Sequence, residues 1–227
     1  MKKFALLLLV LCAALVPCGI FAVPGWAAIT NEVDLRLAIS NGGSVTLGGK
    51  ITLNSVLEIN KDITLDGGGF TLSRNIPGEP QANGSVIKVT GGKVTIQNLT
   101  ITGGNTKPSL NDDDPNRDAS ASGGGIWVGN GELGSSGTGR SELTLKNCRI
   151  ENNYADYDGG GVYVYSGKLT VESCDIKGNK SRLSGGGIYI DGNAEDVTVD
   201  NCVFEQNTAT SNNSSNGGGL YASHKKI

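Results

Sequence analysis

The sequence predicts an all-β chain that winds as a right-handed parallel β-helix. The first observation is a motif of three glycines, an apolar residue and an aromatic residue, which occurs four times, beginning at Gly123, Gly159, Gly185 and Gly217. The second is a segment of alternating apolar and polar residues at 143–150, 169–176 and 197–204. The third is the spacing of Cys148, Cys174 and Cys202, which recur 26 and then 28 residues apart. A fixed period in this range indicates stacked structural repeats.

The repeats have the periodicity of β-strands. Leu143 and Leu145 flank Thr144, and the same apolar–threonine–apolar triplet returns at 169–171 and 197–199. An alternation of period two indicates strands rather than helices. A strand followed by a crossover helix needs about 30 residues or more, so the shorter repeat predicts three short strands and three turns per coil. Equivalent residues would then stack about 4.8 Å apart.

The start of the chain is typical of a secretory signal peptide over residues 1–27. Lys2 and Lys3 precede an apolar run at 4–16, and small residues surround a cleavage position after Ala27. The apolar run is shorter than the roughly 20 residues that span a membrane. The sequence therefore predicts a secreted or cell-surface protein with no transmembrane segment in the mature chain.

The charge and histidine content exclude several classes of function. The formal net charge is −3, and it becomes more negative once the two signal lysines are removed. Nucleic-acid binding is excluded because it needs a basic face. The single histidine, His224, excludes a Ser-His-Asp triad and argues against a histidine-based metal site.

The cysteines outside the signal peptide are expected to form one column inside the coil. Cys148, Cys174 and Cys202 occupy one repeat position. An odd number of cysteines in a secreted chain is compatible with a free thiol or an intermolecular bridge. Cysteine also serves as a small buried apolar residue, and Leu99 at the equivalent earlier position favours that alternative.

Residues 28–43 are expected to form an N-terminal capping segment with a short amphipathic helix at 31–40. Asn31 can cap the helix, and Val33 and Leu37 share its expected apolar face. Glycines at 42 and 43 end it. Such a helix covers the first coil of a solenoid, whose open edge would otherwise invite aggregation. Residues 44–227 are assigned to the repeats, and the last coil is expected to be truncated.

Recurring polar residues are expected to be structural. Asn153, Asn179 and Asn207 occupy one repeat position, where stacked amides can hydrogen-bond along the axis. Asn147 and Asn201, with Ser173 between them, occupy another, where small polar residues tolerate turn angles. We assign none of them to catalysis.

One column of aromatic residues is the candidate binding site. Each follows the inward apolar residue of the glycine motif and is expected to point outward: Trp127, Tyr163, Tyr189 and Tyr221. An exposed column can stack on sugar rings or form an adhesive surface. The alternative is a ladder of mutually packed rings that stabilises coil stacking, covered by the loop at 103–122.

That loop carries the weak candidates for a metal site. Asp112, Asp114 and Asp118 offer oxygens of the kind that Ca²⁺ prefers. Aspartates so close together in one loop point apart, so a solvated loop is favoured. No other cofactor is expected.

The repeat resembles that of the chlamydial-type polymorphic outer-membrane proteins, in the pectin-lyase-like superfamily. Their signatures are Gly-Gly-Ala-Ile and Phe-x-x-Asn. Here the third motif residue is glycine throughout, and Phe204-Glu205-Gln206-Asn207 alone has the phenylalanine. Leu35-Arg36-Leu37-Ala38-Ile39 also resembles the Leu-Arg-x-Ala-Ile helix that opens many bacterial β-helix surface proteins.

The resemblance implies an adhesin or an autotransporter-passenger-like fragment that presents a binding face. Its partners would be a surface glycan or the surface of a host or neighbouring cell. The alternative is a polysaccharide-active protein of the pectate-lyase-like group, a lyase or a glycoside hydrolase, so enzymatic activity stays open. A groove in which Asp or Glu converges with Arg or Lys would favour the enzyme.

Overall fold

The structure, a computed structural model, describes residues 28–74, 84–106, 121–130, 141–210 and 217–223. Within these ranges the chain winds as a right-handed parallel β-helix, which confirms the predicted fold class. The predicted signal peptide and the weak calcium candidates Asp112, Asp114 and Asp118 lie outside these ranges, as does His224.

Four parallel sheets run along the helix axis, and a complete coil passes through them in the order I to IV. Sheet I contains β1 Gly43–Thr46, β4 Ile63–Asp66, β7 Gly92–Gln97, β11 Ser141–Lys146, β15 Gly167–Glu172 and β19 Ala194–Asp200. Sheet II contains β2 Ile51–Thr52, β5 Thr71–Ser73, β8 Thr100–Thr102, β12 Arg149–Glu151, β16 Asp175–Lys177 and β20 Val203–Glu205. Sheet III contains β9 Asn105–Thr106, β13 Tyr154–Ala155, β17 Lys180–Ser181 and β21 Thr208–Ala209. Sheet IV contains β3 Leu57–Ile59, β6 Ile87–Val89, β10 Ile126–Val128, β14 Val162–Val164, β18 Ile188–Ile190 and β22 Leu220–Ala222.

The expectation of three strands per coil was wrong, because the later coils contain four. The additional strands form sheet III and are two residues long, as in Tyr154–Ala155. A two-residue strand shows no alternation of apolar and polar residues, so the sequence carries no periodic signal for it. It exists because the neighbouring coil pairs with it.

Equivalent residues stack in register, as the repeat predicts. Leu143 pairs with Leu169, and Leu169 with Val197, along sheet I. Inward residues of this kind line one continuous core in which Leu143 and Leu169 are almost fully buried. Val197, on the last described coil, is only partly buried. The core is therefore a set of rows along the axis, and each row is made from one repeat position.

The cysteines form the predicted column. Cys148 and Cys174 are buried, Cys202 is half-buried, and all three are free thiols. The Cys148 amide donates a hydrogen bond to Cys174 Sγ at 3.4 Å, which ties adjacent coils together. Burial raises the pKa of the Cys202 thiol. The column confirms that cysteine serves here as a small core residue.

The predicted helix is present as α1, Glu32–Asn41. Asn31 Oδ1 accepts a hydrogen bond from the Asp34 amide at 2.9 Å, so Asn31 is the N-terminal cap. Gly42, at φ 78°, follows the last residue, and its amide donates to the carbonyl of Ala38 at 3.1 Å. These contacts confirm both predicted ends of the helix.

The face predicted for α1 was wrong. Val33 and Leu37 are 76% and 59% exposed, whereas Leu35 and Ile39 are buried in the core. Leu35 and Ile39 lie four residues apart and therefore share a face. Arg36 fixes this orientation, because its guanidinium donates to the Ser55 carbonyl at 2.7 Å and to the Val56 carbonyl at 3.0 Å.

The predicted asparagine ladder lies inside the coil. Asn179 Oδ1 accepts hydrogen bonds from the amide and the Nδ2 group of Asn153, at 3.1 and 3.0 Å. Asn207 Oδ1 accepts the same pair from Asn179, at 3.0 and 3.1 Å. The ladder joins three successive coils through side chains, so the structural role predicted for these residues is confirmed.

The polar residues at the corner between sheets I and II have left-handed backbone angles, as predicted. The four corner residues have φ between 49° and 52°: Asn98, Asn147, Ser173 and Asn201. Asparagine tolerates this conformation better than most residues with a side chain. The corner therefore turns within a short stretch and leaves the adjacent side chains in regular rows.

Candidate functional site

The four predicted aromatic residues lie in one row on the outer face of sheet IV. Trp127 pairs with Tyr163, Tyr163 with Tyr189, and Tyr189 with Tyr221, each in parallel register. Lys88 occupies the same row one coil earlier. The predicted column is therefore present as a geometric feature.

The tyrosines of this row stack on one another. The ring centroids of Tyr163 and Tyr189 are 5.4 Å apart, and those of Tyr189 and Tyr221 are 5.2 Å apart. The interplanar angles are 18° and 28°, so neighbouring rings lie face to face. Aromatic pairs of this kind stabilise the packing of adjacent strands. The ring faces between coils are thus occupied by other rings, as the packed-ladder alternative predicts.

Trp127 leaves this stack and packs on a neighbouring residue instead. Its ring stacks on Tyr165 at 6.3 Å, and Lys88 Nζ lies 4.8 Å from the ring centroid on a cation–π contact. The indole leans over Gly129, where an added Cβ would lie 2.5 Å from the ring. A glycine beside Trp127 is therefore what allows this arrangement.

The column is only partly accessible. Trp127 and Tyr163 are 3% and 6% exposed, whereas Tyr189 and Tyr221 are half-buried. The loop expected to cover the column lies mostly outside the described residues. Trp127 and Tyr163 are therefore buried, and binding by the four residues of the column stays a prediction.

Sheets I and II present a different outer surface, made of charged residues that pair between coils. Lys146 Nζ lies 3.0 Å from Glu172 Oε2 on sheet I. On sheet II, Lys177 Nζ lies 3.2 Å from Glu205 Oε2. Exposed pairs of this kind contribute little stability each, and they join residues of successive coils.

A groove that the sequence did not predict lies at the corner between sheets I and II. It has a volume of about 510 Å³ and is lined by Gly69, Asn98, Leu99, Thr100, Asn147, Cys148, Arg149, Ser173 and Asp175. Arg149 Nη2 lies 3.7 Å from Asp175 Oδ2 within it. The sequence contained one signal for it: a polar residue precedes each cysteine of the column, and a charged residue follows Cys148 and Cys174. In the sequence, that pattern indicates a structural turn beside an outward row of varied charge.

The family of this chain follows from its repeats. A family model for the right-handed β-helix region matches residues 63–227, well over half of the chain. The chain belongs to the right-handed β-helix family. Searches of curated proteins and of solved structures found no match. The family assignment supports the β-helix repeat, and the narrower resemblance to chlamydial-type repeats remains an expectation from the sequence.

Neither a metal-binding cluster nor a membrane-spanning helix is found in the described part of this β-helix protein. In the parts of the chain that the structure describes, no three His, Cys, Asp or Glu side chains converge closely enough to hold a metal ion. Within the same parts, no helix has the length and apolar character needed to cross a membrane. The weak calcium proposal for Asp112, Asp114 and Asp118 stays untested.

The environment of the β-helix tyrosine stack changes its acid–base behaviour. Burial raises the pKa of Tyr189 to about 12, and the nearby carboxylates of Asp158 and Asp191 act in the same direction. Burial, followed by the charge of Asp191, also raises the pKa of Tyr163. Both hydroxyls are therefore held in the protonated form.

This shift predicts a loss of stability at high pH. Below the ordinary tyrosine pKa of 10.0, the Tyr189 hydroxyl is protonated in both the folded and the unfolded chain. Between that value and about 12 the unfolded chain ionises first, so the free energy of unfolding falls as the pH rises. We expect Tyr189→Phe to show a shallower fall, measured by urea denaturation on both sides of pH 10. Identical pH profiles would contradict the assignment to Tyr189.

Proposed function

We propose that this β-helix protein is a secreted or cell-surface adhesin or passenger-like protein, and that it binds a surface glycan or a neighbouring cell through the outer face of sheet IV. The observation that carries the proposal is the tyrosine stack, whose members Tyr189 and Tyr221 remain half-exposed. On sheets I and II, the charged pairs Lys146–Glu172 and Lys177–Glu205 join successive coils. Sheet IV is the face that presents aromatic edges.

The stack supports binding because its rings are already ordered. Aromatic side chains lose little conformational freedom on binding, and a tyrosine presents both an apolar edge and a hydroxyl. The Asp191 carboxylate beside them is held in place, since its Oδ1 accepts hydrogen bonds from the amide and the Nδ2 group of Asn193 at 3.0 and 2.8 Å. An ordered row of tyrosine edges beside a fixed carboxylate suits a ligand with hydroxyl groups.

The polysaccharide-active alternative is favoured by one observation, the presence of Arg149 and Asp175 in one groove. Glycoside hydrolysis generally needs two carboxyl groups across the scissile bond. The lining residues of this groove include one carboxylate, Asp175, which lies near the Arg149 guanidinium. That arrangement argues against a glycoside hydrolase, whereas a lyase stays open.

The proposal predicts that Tyr189→Ala and Tyr221→Ala each weaken binding by roughly tenfold or more, the effect of removing a residue central to an interface. The measurements are a glycan array and a cell-adhesion assay with the purified protein. Tyr154→Ala is the matched control, because Tyr154 is a half-buried tyrosine on sheet III. Circular dichroism establishes that each variant is folded.

Equal binding by the wild type and both sheet IV variants would remove the tyrosine stack from the binding site. Secretion is tested separately, by fractionating cells that express the full chain. We expect the mature protein, without residues 1–27, in the medium or on the cell surface. Retention of the uncleaved chain inside the cell would contradict the proposed location.

A further inference from the structure

We propose that Cys174 and Cys202 form a disulfide bond between adjacent coils when the folded protein meets a disulfide oxidant, and that Cys148 keeps its thiol. The three cysteines form one column and are free thiols in this structure. The column lies where the chain passes from sheet I to sheet II, whereas the tyrosine stack lies on sheet IV. The inference therefore does not depend on the binding function proposed for that stack.

The coils hold Cys174 and Cys202 at a backbone separation that a disulfide accepts. The residues two positions before the cysteines pair in register on sheet I, and the residues directly after them pair on sheet II. Because both coils have the same number of residues between these pairs, the two cysteines face each other. Adjacent strands lie about 4.8 Å apart, and disulfide-bonded cysteines usually have Cα atoms about 4.4–6.8 Å apart. The backbone separation of the pair is thus within the range for a bond.

The Cys202 sulfur is directed towards the coil that contains Cys174. Cys202 Sγ lies 3.6 Å from the carbonyl oxygen of Val171, a residue of that coil. Beside the sulfurs, the Val203 amide donates to the Cys174 carbonyl at 2.9 Å and ties the two backbones together. The Cys174 sulfur lies 3.4 Å from the Cys148 amide nitrogen. The Cys174 side chain must therefore turn towards Cys202, which is a rotation between staggered positions about its Cα–Cβ bond.

Access to solvent selects this pair over the pair of Cys148 and Cys174. Cys148 and Cys174 are buried, whereas Cys202 is half-buried. An oxidant reacts with a thiolate that it can reach, and within the column that condition is met by Cys202. Cys174 lies between the other two cysteines and can bond to one of them at a time. Its bond to Cys202 therefore leaves Cys148 as a thiol.

The oxidation takes place in two exchanges. The Cys202 thiolate attacks one sulfur of the oxidant disulfide, whose S–S bond breaks and releases one small thiol. The Cys174 thiolate then attacks Cys202 Sγ in this mixed disulfide and expels the second small thiol. The two protein thiols lose two hydrogen atoms and two electrons in all, and the oxidant disulfide is reduced to two thiols.

The source of the oxidant is the one point at which the inference draws on the proposed secretion. Disulfides form and persist in extracellular and periplasmic surroundings, and they are rare in the cytosol. The bond would join residues that are 28 positions apart in the chain and would lock two adjacent coils together. The test below supplies the oxidant directly, so its result does not depend on where the protein is found.

The test is oxidation of the folded full chain with oxidised glutathione, followed by alkylation in denaturant, trypsin digestion and mass spectrometry. Burial raises the pKa of the Cys202 thiol, so the reaction is run at about pH 8.5, near the ordinary pKa of cysteine. Trypsin places the three cysteines in separate peptides, 147–149, 169–177 and 183–225, so each pairing has its own mass. Cys12 and Cys18 of the predicted signal peptide lie in another, 4–36.

We expect peptide 169–177 to be linked to peptide 183–225, with Cys148 alkylated and two of the three column thiols lost. Oxidation in urea is the control for the folded register, and it should give all three pairings. Cys202→Ser should leave both remaining column thiols reduced, because the half-buried thiol is gone. Cys148→Ala is the matched variant and should keep the linked peptide. Circular dichroism establishes that both variants are folded.

Several results would overturn the inference. These are no linked peptide from the oxidised folded chain, peptide 147–149 linked to 169–177 instead, or glutathione left attached to Cys202. Two copies of the chain joined through Cys202 would also overturn it, since the accessible thiol would then pair between molecules. None of these results bears on the tyrosine stack, which is tested by glycan and cell binding.

Discussion

Replacing Asn179 with alanine is expected to lower the free energy of unfolding by about 3 kcal/mol, because it leaves several buried polar groups without partners. Asn179 Oδ1 accepts two hydrogen bonds from Asn153, and its Nδ2 group donates to the Ile150 carbonyl at 2.8 Å and to Asn207 Oδ1 at 3.1 Å. The residue is fully buried, so water does not readily replace these bonds. Urea denaturation measures the change.

The matched control is Asn60→Ala, because Asn60 is an exposed asparagine of the same protein. A surface substitution of this kind changes stability by at most about 0.5 kcal/mol. If Asn179→Ala is no more destabilising than the control, the ladder does not hold the coils together. The prediction would then fail even though the geometry of the ladder is regular.

Gly160→Ala is expected to destabilise the protein by roughly 3 kcal/mol or more, in the range of overpacking and backbone clashes. A Cβ at Gly160 would lie 2.5 Å from the carbonyl oxygen of Lys180 and would also collide with the carbonyl of Gly186. Both obstacles are backbone atoms of the next coil, so no side chain can rotate out of the way. The coils would have to move apart.

Gly49→Ala is the control for this substitution. A Cβ at Gly49 would meet Thr30 at 3.8 Å, an ordinary contact distance, and it should change the free energy of unfolding by at most about 0.5 kcal/mol. Thermal and urea denaturation of both variants provide the comparison. Equal stability of the two would show that adjacent coils can separate locally without loss.

The repeated segments were predictable because the residue pattern of each strand is local and occurs in several repeats. The alternation around Leu143 and Leu169 indicates inward rows, and the spacing of Cys148 and Cys174 indicates their register. The stacking of the coils then follows from the register. The sequence signals for Asn31 and Gly42 likewise marked the ends of α1 correctly.

Contacts between distant residues were harder to predict. Leu35 faces the core and Leu37 faces solvent because Arg36 bonds to the carbonyls of Ser55 and Val56, about 20 residues away. The helix pattern contains apolar residues on more than one side, so it does not by itself select the buried face. The two-residue strands of sheet III likewise depend on pairing with neighbouring coils.

The candidate sites were likewise predictable only where local residue patterns determine them. The sequence placed Tyr189 and Tyr221 in one outward row, but their exposure depends on ring packing, and Trp127 turns away to Tyr165 across Gly129. The groove was not predicted, because its lining combines residues from four coils around left-handed turns.

The sequence alone determined the solenoid, its register and the rows that face inward, because each repeat imposes the same short-range alternation and the same turn residues. The tertiary structure decided which outward residues are accessible and which of them meet in the corner groove. Accessibility depends on contacts between coils, and such contacts join residues that lie far apart in the chain. The periodic pattern predicts the path of each coil, whereas a site forms where neighbouring coils carry different residues.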